Sequence, residues 1–306
     1  ALLTVEDLSK LPPGIQDAYP LTEMQAGMIF HSEQELGAYH VVDSIKVQCT
    51  LNAEVLRAAL AQVFARHPVL RTSFDLGSFS EPLQLVHQQC DVPLAVYDLA
   101  HFSSPEQEEV LANYLQLVRG DHFDVSKLPL IRFSAHYLAE DKLQLTIVGH
   151  HAIIDGWSLI SLLIEIFQRC LAIQQSQSFP EKHLPNAMRN LVVRERKALN
   201  SAVDRGFWKQ WLSSATINSF PYLASMSGAI SAHKNDWPEV DLHLPLNISE
   251  QLKQLAQSLA VPLKCVLLAA HLRILSLLYG ERNVTTGLVA STRPEGLDGD
   301  QVLGVF

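Results

Sequence analysis

Apolar and polar positions along the chain alternate between two periods, and each period marks a class of element. In NAEVLRAALAQVFARHP, residues Val55, Leu56, Ala59, Leu60, Val63 and Phe64 fall on one helical face, and Pro68 ends the run. SSPEQEE predicts a second helix start, with Ser104 as cap, Pro105 in the first turn and Gln107 at capping-box spacing. Strands are predicted at DSIKVQ (43–48), LQLVHQ (83–88), IRFSAHYL (131–138) and LQLTIVG (143–149), the last two joined by AEDK as a hairpin. SLISLLIEIFQRCLAI is apolar nearly all round, which predicts a helix buried between layers.

Breaks in this pattern divide the chain. LPPG closes a short leading segment, because two prolines and a glycine cannot continue a helix. The polar, proline-containing QQSQSFPEKHLPN is the strongest internal boundary. The resulting organisation is an upstream linker (1–14), a first lobe (15–173), an inter-lobe linker (174–189) and a second lobe (190–306). The second lobe should hold a charged helix at RNLVVRERKALNSAVDRGFWKQWL, a strand at EVDLHLPL and a helix carrying Leu252, Leu255, Ala256 and Leu259. A long apolar helix from about Pro262 to Tyr279 and a strand at NVTTGLVAS should follow. The fold class is α/β (α+β), and 306 residues exceed what one core usually holds.

Charge and composition remove several function classes. A net charge of -9, with 23 Lys and Arg scattered along the chain, leaves no footprint for a nucleic acid. Cys49, Cys90, Cys170 and Cys265 lie far apart, without a CxxC pair, and read as reduced core thiols rather than a disulfide framework or zinc site. No segment approaches an uninterrupted membrane span and the start lacks the grammar of a leader, so a cytoplasmic setting is expected.

The chemistry concentrates in VGHHAIIDGWS (148–158), where a predicted strand meets a predicted helix. Such junctions aim side chains out of a sheet, and the first helical turn leaves N–H groups free to meet developing negative charge. An imidazole can exchange a proton near neutral pH or hold a nucleophile by hydrogen bonding. His150 and His151 are adjacent and point apart in extended backbone, so one faces a cleft and the other packs. Asp155 is either a second reacting group or a buried structural anion. No third metal ligand is in view, and Ser158 lacks the context of a nucleophile elbow.

HHAIIDG resembles the HHxxxDG motif of the condensation domains of nonribosomal peptide synthetases, members of the chloramphenicol acetyltransferase-like superfamily. AYPLTEMQAGMIFHSE (18–33), RHPVLRTSF (66–74), FDVSKLPLIRF (123–133) and STRPEG (291–296) are similar to further motifs of that family, in its order. The resemblance implies a two-lobed fold, each lobe a mixed sheet packed with helices. It gives His151 the functional position and places the Gly156 N–H near the reacting centre. It also makes His150 supportive, Asp155 structural through an ion pair with Arg293 across the lobes, and Arg71 architectural.

The implied reaction joins a donor acyl or peptidyl thioester to the amino group of an acceptor aminoacyl thioester. Both ride on phosphopantetheine arms of carrier domains, with an adenylation domain as neighbour, and no cofactor or metal is bound by the domain itself. With an α-amino pKa of about 7.7–8.0, much of the nucleophile is already neutral. Two departures stand out: an aromatic segment of the type YxDYAxW has no counterpart, and the chain ends at VLGVF, the opening of a (V/I)GxFxNT motif. The second lobe is therefore expected to be incomplete and the fragment alone to have little activity. A coenzyme A-dependent acyltransferase and a catalytically silent docking domain are the rival readings.

Overall fold

A computed structural model describes residues 2–35, 37–180, 184, 186–215, 241–294 and 299–306. Two compact units form, one from residues 1–200 together with 291–306, the other from 201–290. In the first unit a short helix α1 (Val5–Lys10) leads into the sheets, tied down where Asp7 Oδ1 accepts from Ser80 N at 2.9 Å. A three-stranded antiparallel sheet has the order β1 (Ile15–Pro20), β4 (Leu83–His87), β3 (Thr72–Asp75). A four-stranded sheet has the order β2 (His40–Gln48), β7 (Lys142–His150), β6 (Ile131–Ala139), β5 (Leu94–Asp98). The pairings are antiparallel except β5 with β6, whose parallel register is made possible by the intervening helix α4 (Ser104–Arg119).

Helices α3 (Ala53–Arg66) and α5 (Gly156–Gln174) pack against each other, burying Leu56, Leu60, Phe64, Leu162 and Ile166 in one core with Phe133, Leu145 and Ile147 of the larger sheet. The opposite face of that sheet is also closed, and its side chains are polar. Ser44 Oγ lies 2.7 Å from Thr146 Oγ1, Gln144 Nε2 donates to Ser44 Oγ at 2.6 Å, and Tyr114 of α4 meets Ser134. Strand β7 is therefore buried on both faces, with Gln144 Nε2 and Thr146 Oγ1 hydrogen-bonded to Ser44 on the polar one.

Several expectations are corrected. The cap of α4 is Ser103, with Glu106 closing the capping box, one residue earlier than the Ser104 and Gln107 spacing; both frames satisfy the pattern, and the carboxylate of Glu106 is the stronger acceptor. Helix α5 is not enclosed all round. Leu159, Leu162, Ile166 and Cys170 are buried, while Trp157, Ile160, Ile164 and Leu171 are exposed, because α3 and the sheet cover one face only. The charged helix splits at Asn200–Ser201 into α6 (Ala187–Leu199) and α7 (Ala202–Trp211), where Ser201 accepts from Asp204 N and caps the second. Cys265 is exposed rather than a core thiol; all four cysteines are free.

The second unit holds α7 and the helices Leu246–Ser258 and Leu263–Tyr279. Neither strand expected there forms among the described residues: 283–290 and 241–245 are irregular, and Glu239 and Val240 lie outside the described residues. A strand exists only with a partner. Here Asn283 Nδ2 donates to Ser214 O at 2.9 Å, and Thr286 Oγ1 lies 3.3 Å from His271 Nε2 on the long helix.

Candidate active site

Strand β7 ends at His150, residues 151–153 turn, and Asp155 caps α5 by accepting from Ser158 N at 2.7 Å. The turn is held from both sides. Ala152 N donates to His150 Nδ1 at 3.1 Å, and Ala152 O accepts from the fully buried Gln25 Nε2 at 2.9 Å. Gln25 belongs to α2 (Glu23–Gln34), where it also completes the capping box with Thr22, and its amide donates to Gln84 Oε1 at 3.0 Å. The AYPLTEMQAGMIFHSE segment thus reaches the turn that follows the histidine pair through the Gln25 amide.

The two histidines are chemically unequal. His150 is 3% exposed, and both its ring nitrogens are committed: Nδ1 accepts from Ala152 N and Nε2 lies 3.2 Å from Ser32 Oγ. Ser32 Oγ donates to Ile29 O, so it accepts from His150, which fixes the neutral ring with its proton on Nε2. Burial, reinforced by His40 and His151, pushes the His150 pKa down to about 4. A cavity of about 220 Å³ lies on this side, lined in part by Ser32, His40, His122, Phe123 and His150.

His151 is half-buried, its N–H donates to Tyr39 O at 2.8 Å, and its ring meets that of Tyr39 edge-on at 6.3 Å between centroids. Its Nδ1 is buried with no hydrogen-bond partner, which leaves Nε2 as the open nitrogen. Among the described residues no carboxylate hydrogen-bonds this ring. Asp155 is engaged with Arg293, Ser158 N and Phe306 N, so it does not orient the His151 ring as the acid of a catalytic triad does.

Asp155 Oδ1 and Oδ2 accept from Arg293 Nη2 at 2.9 and 3.1 Å, and Oδ2 also accepts from Phe306 N at 3.1 Å. Arg293 Nη2 donates further to Ser158 Oγ at 2.7 Å, its Nη1 reaches Val302 O, and its guanidinium lies 4.6 Å from the centroid of the Phe306 ring. Arg293 belongs to the same compact unit as Asp155, so the pair lies within that unit. Glu295 and Gly296 of the STRPEG segment lie outside the described residues.

Gly156 opens α5 with empty space where a Cβ would stand. Arg71 is remote in role: its Nε donates to Phe64 O at 2.8 Å and its Nη1 to Gln16 Oε1 at 3.0 Å and to His87 O, tying α3 to the ends of β1 and β4. Among the described residues no cluster of three or more His, Cys, Asp or Glu could hold a metal ion. The apolar pattern does not single out Tyr39, Ser32 or Gln25. A start of β2 at His40 rather than at 43 is the signal that places Tyr39 beside His151, since His40 pairs with His150.

The family model described as "Condensation domain" matches residues 15–306. The chain is 33% identical over its full length to AMB antimetabolite synthetase AmbE of Pseudomonas aeruginosa and 30% identical over 95% of its length to a component of the linear gramicidin synthase of Brevibacillus parabrevis. It spans only 14% and 6% of those two proteins. Among solved structures, the first condensation domain of the CDA synthetase superposes with a TM-score of 0.68 at 17% identity, covering 94% of this chain and 68% of that one. The condensation domain from monacolin K polyketide synthase MokA gives 0.74 at 16% identity, covering 95% and 66%. These likenesses establish the fold.

Proposed function

The chain belongs to the condensation-domain family, and we propose that it forms an amide bond between a carrier-bound acyl or peptidyl thioester and the amino group of a carrier-bound aminoacyl thioester. The family match together with relatives named as an antimetabolite synthetase and a linear gramicidin synthase supports condensation over transfer from coenzyme A. The observation that carries the reading is His151: a half-buried imidazole at a strand–helix junction, one nitrogen enclosed and the other open, beside the first turn of α5.

In this reading the neutral amine attacks the thioester carbonyl carbon, the C–N bond forms, and negative charge collects on the carbonyl oxygen. The N–H groups that begin α5 at Gly156 and Trp157 have no intrahelical acceptor and face that charge. His151 Nε2 accepts a hydrogen bond from the attacking amine and aims its lone pair. The C–S bond then breaks, and the proton lost from nitrogen ends on the departing thiolate. Without a carboxylate behind Nδ1, the ring acts by orienting the amine more than by strong base catalysis. His150, already neutral and doubly bonded, supports the turn; Asp155 and Arg293 hold the helix start; Arg71 serves the scaffold.

The test is His151→Ala in the full parent synthetase with both carriers loaded. Turnover should fall by roughly 100-fold or more, the loss associated with a misplaced reacting group. Unchanged turnover would overturn the assignment.

A further inference from the structure

Tyr39 has a φ of 61°, in the left-handed region that a bulky side chain rarely occupies. The unfavourable backbone is imposed by its neighbours. Ala38 N donates to Glu35 O and His40 N to Gly37 O, while Gly37 itself takes a φ of 96°. Beyond the turn, His40 is fixed as the first residue of β2, paired with His150, with its Nε2 2.9 Å from Val118 O of α4. The turn is thus anchored on both sides, and it delivers two contacts to one residue. The carbonyl of Tyr39 accepts from His151 N, and the Tyr39 ring stands at 80° to the His151 imidazole at a separation normal for edge-to-face aromatic pairs.

Strained conformations persist where the surroundings over-determine them, and they gather at sites of function. The imidazole of His151 has no hydrogen bond at Nδ1 to orient it, so packing against Tyr39 supplies the orientation that a carboxylate supplies elsewhere. We propose that Tyr39 is the positioning residue for His151: its left-handed backbone grips the main chain of His151, and its ring limits the imidazole to rotamers that present Nε2 outward. The inference rests on His151 being the functional imidazole and assigns Tyr39 no direct contact with the reacting atoms. Its hydroxyl is not required.

The experiment uses Tyr39→Phe, Tyr39→Gly and Tyr39→Asn in the parent synthetase, with kcat and KM measured for loaded carriers and His151→Ala run alongside. Glycine and asparagine accept a φ of 61° more readily than tyrosine, so both ringless variants retain the fold, which thermal denaturation checks. The Phe variant should match the wild type. The ringless variants should lose roughly 10- to 100-fold in kcat with KM little changed, as expected when a reacting group drifts by about an ångström. Wild-type kcat in either ringless variant, a Phe variant as impaired as the Gly variant, or an effect confined to KM would overturn the inference. Ringless variants that remain active beside an inactive His151→Ala would sink Tyr39 alone; a fully active His151→Ala would sink the reading of the site.

Discussion

Replacing Arg293 with alanine perturbs the start of α5, because its guanidinium holds both the capping Asp155 and Ser158. The guanidinium is 11% exposed and the Asp155 carboxylate 17%, so the pair lies much nearer the buried than the solvated limit. Breaking a buried pair costs about 3–5 kcal/mol and an exposed one under about 1 kcal/mol, which places this one at ~3 kcal/mol. The loss includes two bonds to Asp155, the bond to Ser158 Oγ, the tie to Val302 O and the stacking on Phe306. For a domain of this size it corresponds to a fall in Tm of roughly 6–12 °C. Thermal denaturation of the parent protein measures it. A cycle with Asp155→Ala should return a coupling of about 2 kcal/mol, within the range for residues in contact. An Arg293→Ala protein melting within about 2 °C of the wild type, or a coupling near zero, would refute the view that this pair fastens residues 299–306 to the helix start.

Two further outcomes are expected. Gly156→Ala should leave Tm unchanged, because a Cβ there meets no atom within 4 Å, yet lower turnover about tenfold or more if that space admits the substrate; full activity would show the space is unused. Stability should also fall as pH drops from neutral towards 5. Burial pushes both His136 and His150 down to about 4, whereas the unfolded rings titrate near 6.5. Between those values the unfolded chain binds more protons, so the contribution is complete above about pH 6.5 and is lost towards pH 4, by ~2 kcal/mol for each ring at pH 5. Urea denaturation at pH 7 and pH 5 checks this, and equal midpoints would contradict it.

Most of the first unit was legible in the pattern. Residues 53–66 form a helix because their apolar face is unbroken and Asn52 caps it, and the hairpin of β6 and β7 follows from two long strands around a short polar turn. The exposed stripe of α5 was not legible, because periodicity reports how apolar a face is and not whether a neighbour covers it. Nor was the missing pairing at 283–290, since strand-forming residues become a strand only beside another. At the site, HHAIIDG located the junction, but the inequality of its histidines depends on Ser32, Ala152 and Tyr39, two of them far away in sequence and joined to it by the β2–β7 register.

The hydrogen bonds of His150 have a consequence for ionisation. With one nitrogen receiving the amide of Ala152 and the other giving its hydrogen to Ser32, that ring has no vacancy for a second proton at neutral pH. The two adjacent imidazoles are therefore unlike: one is closed by a hydrogen bond at each nitrogen, while the other keeps a nitrogen without a hydrogen-bond partner.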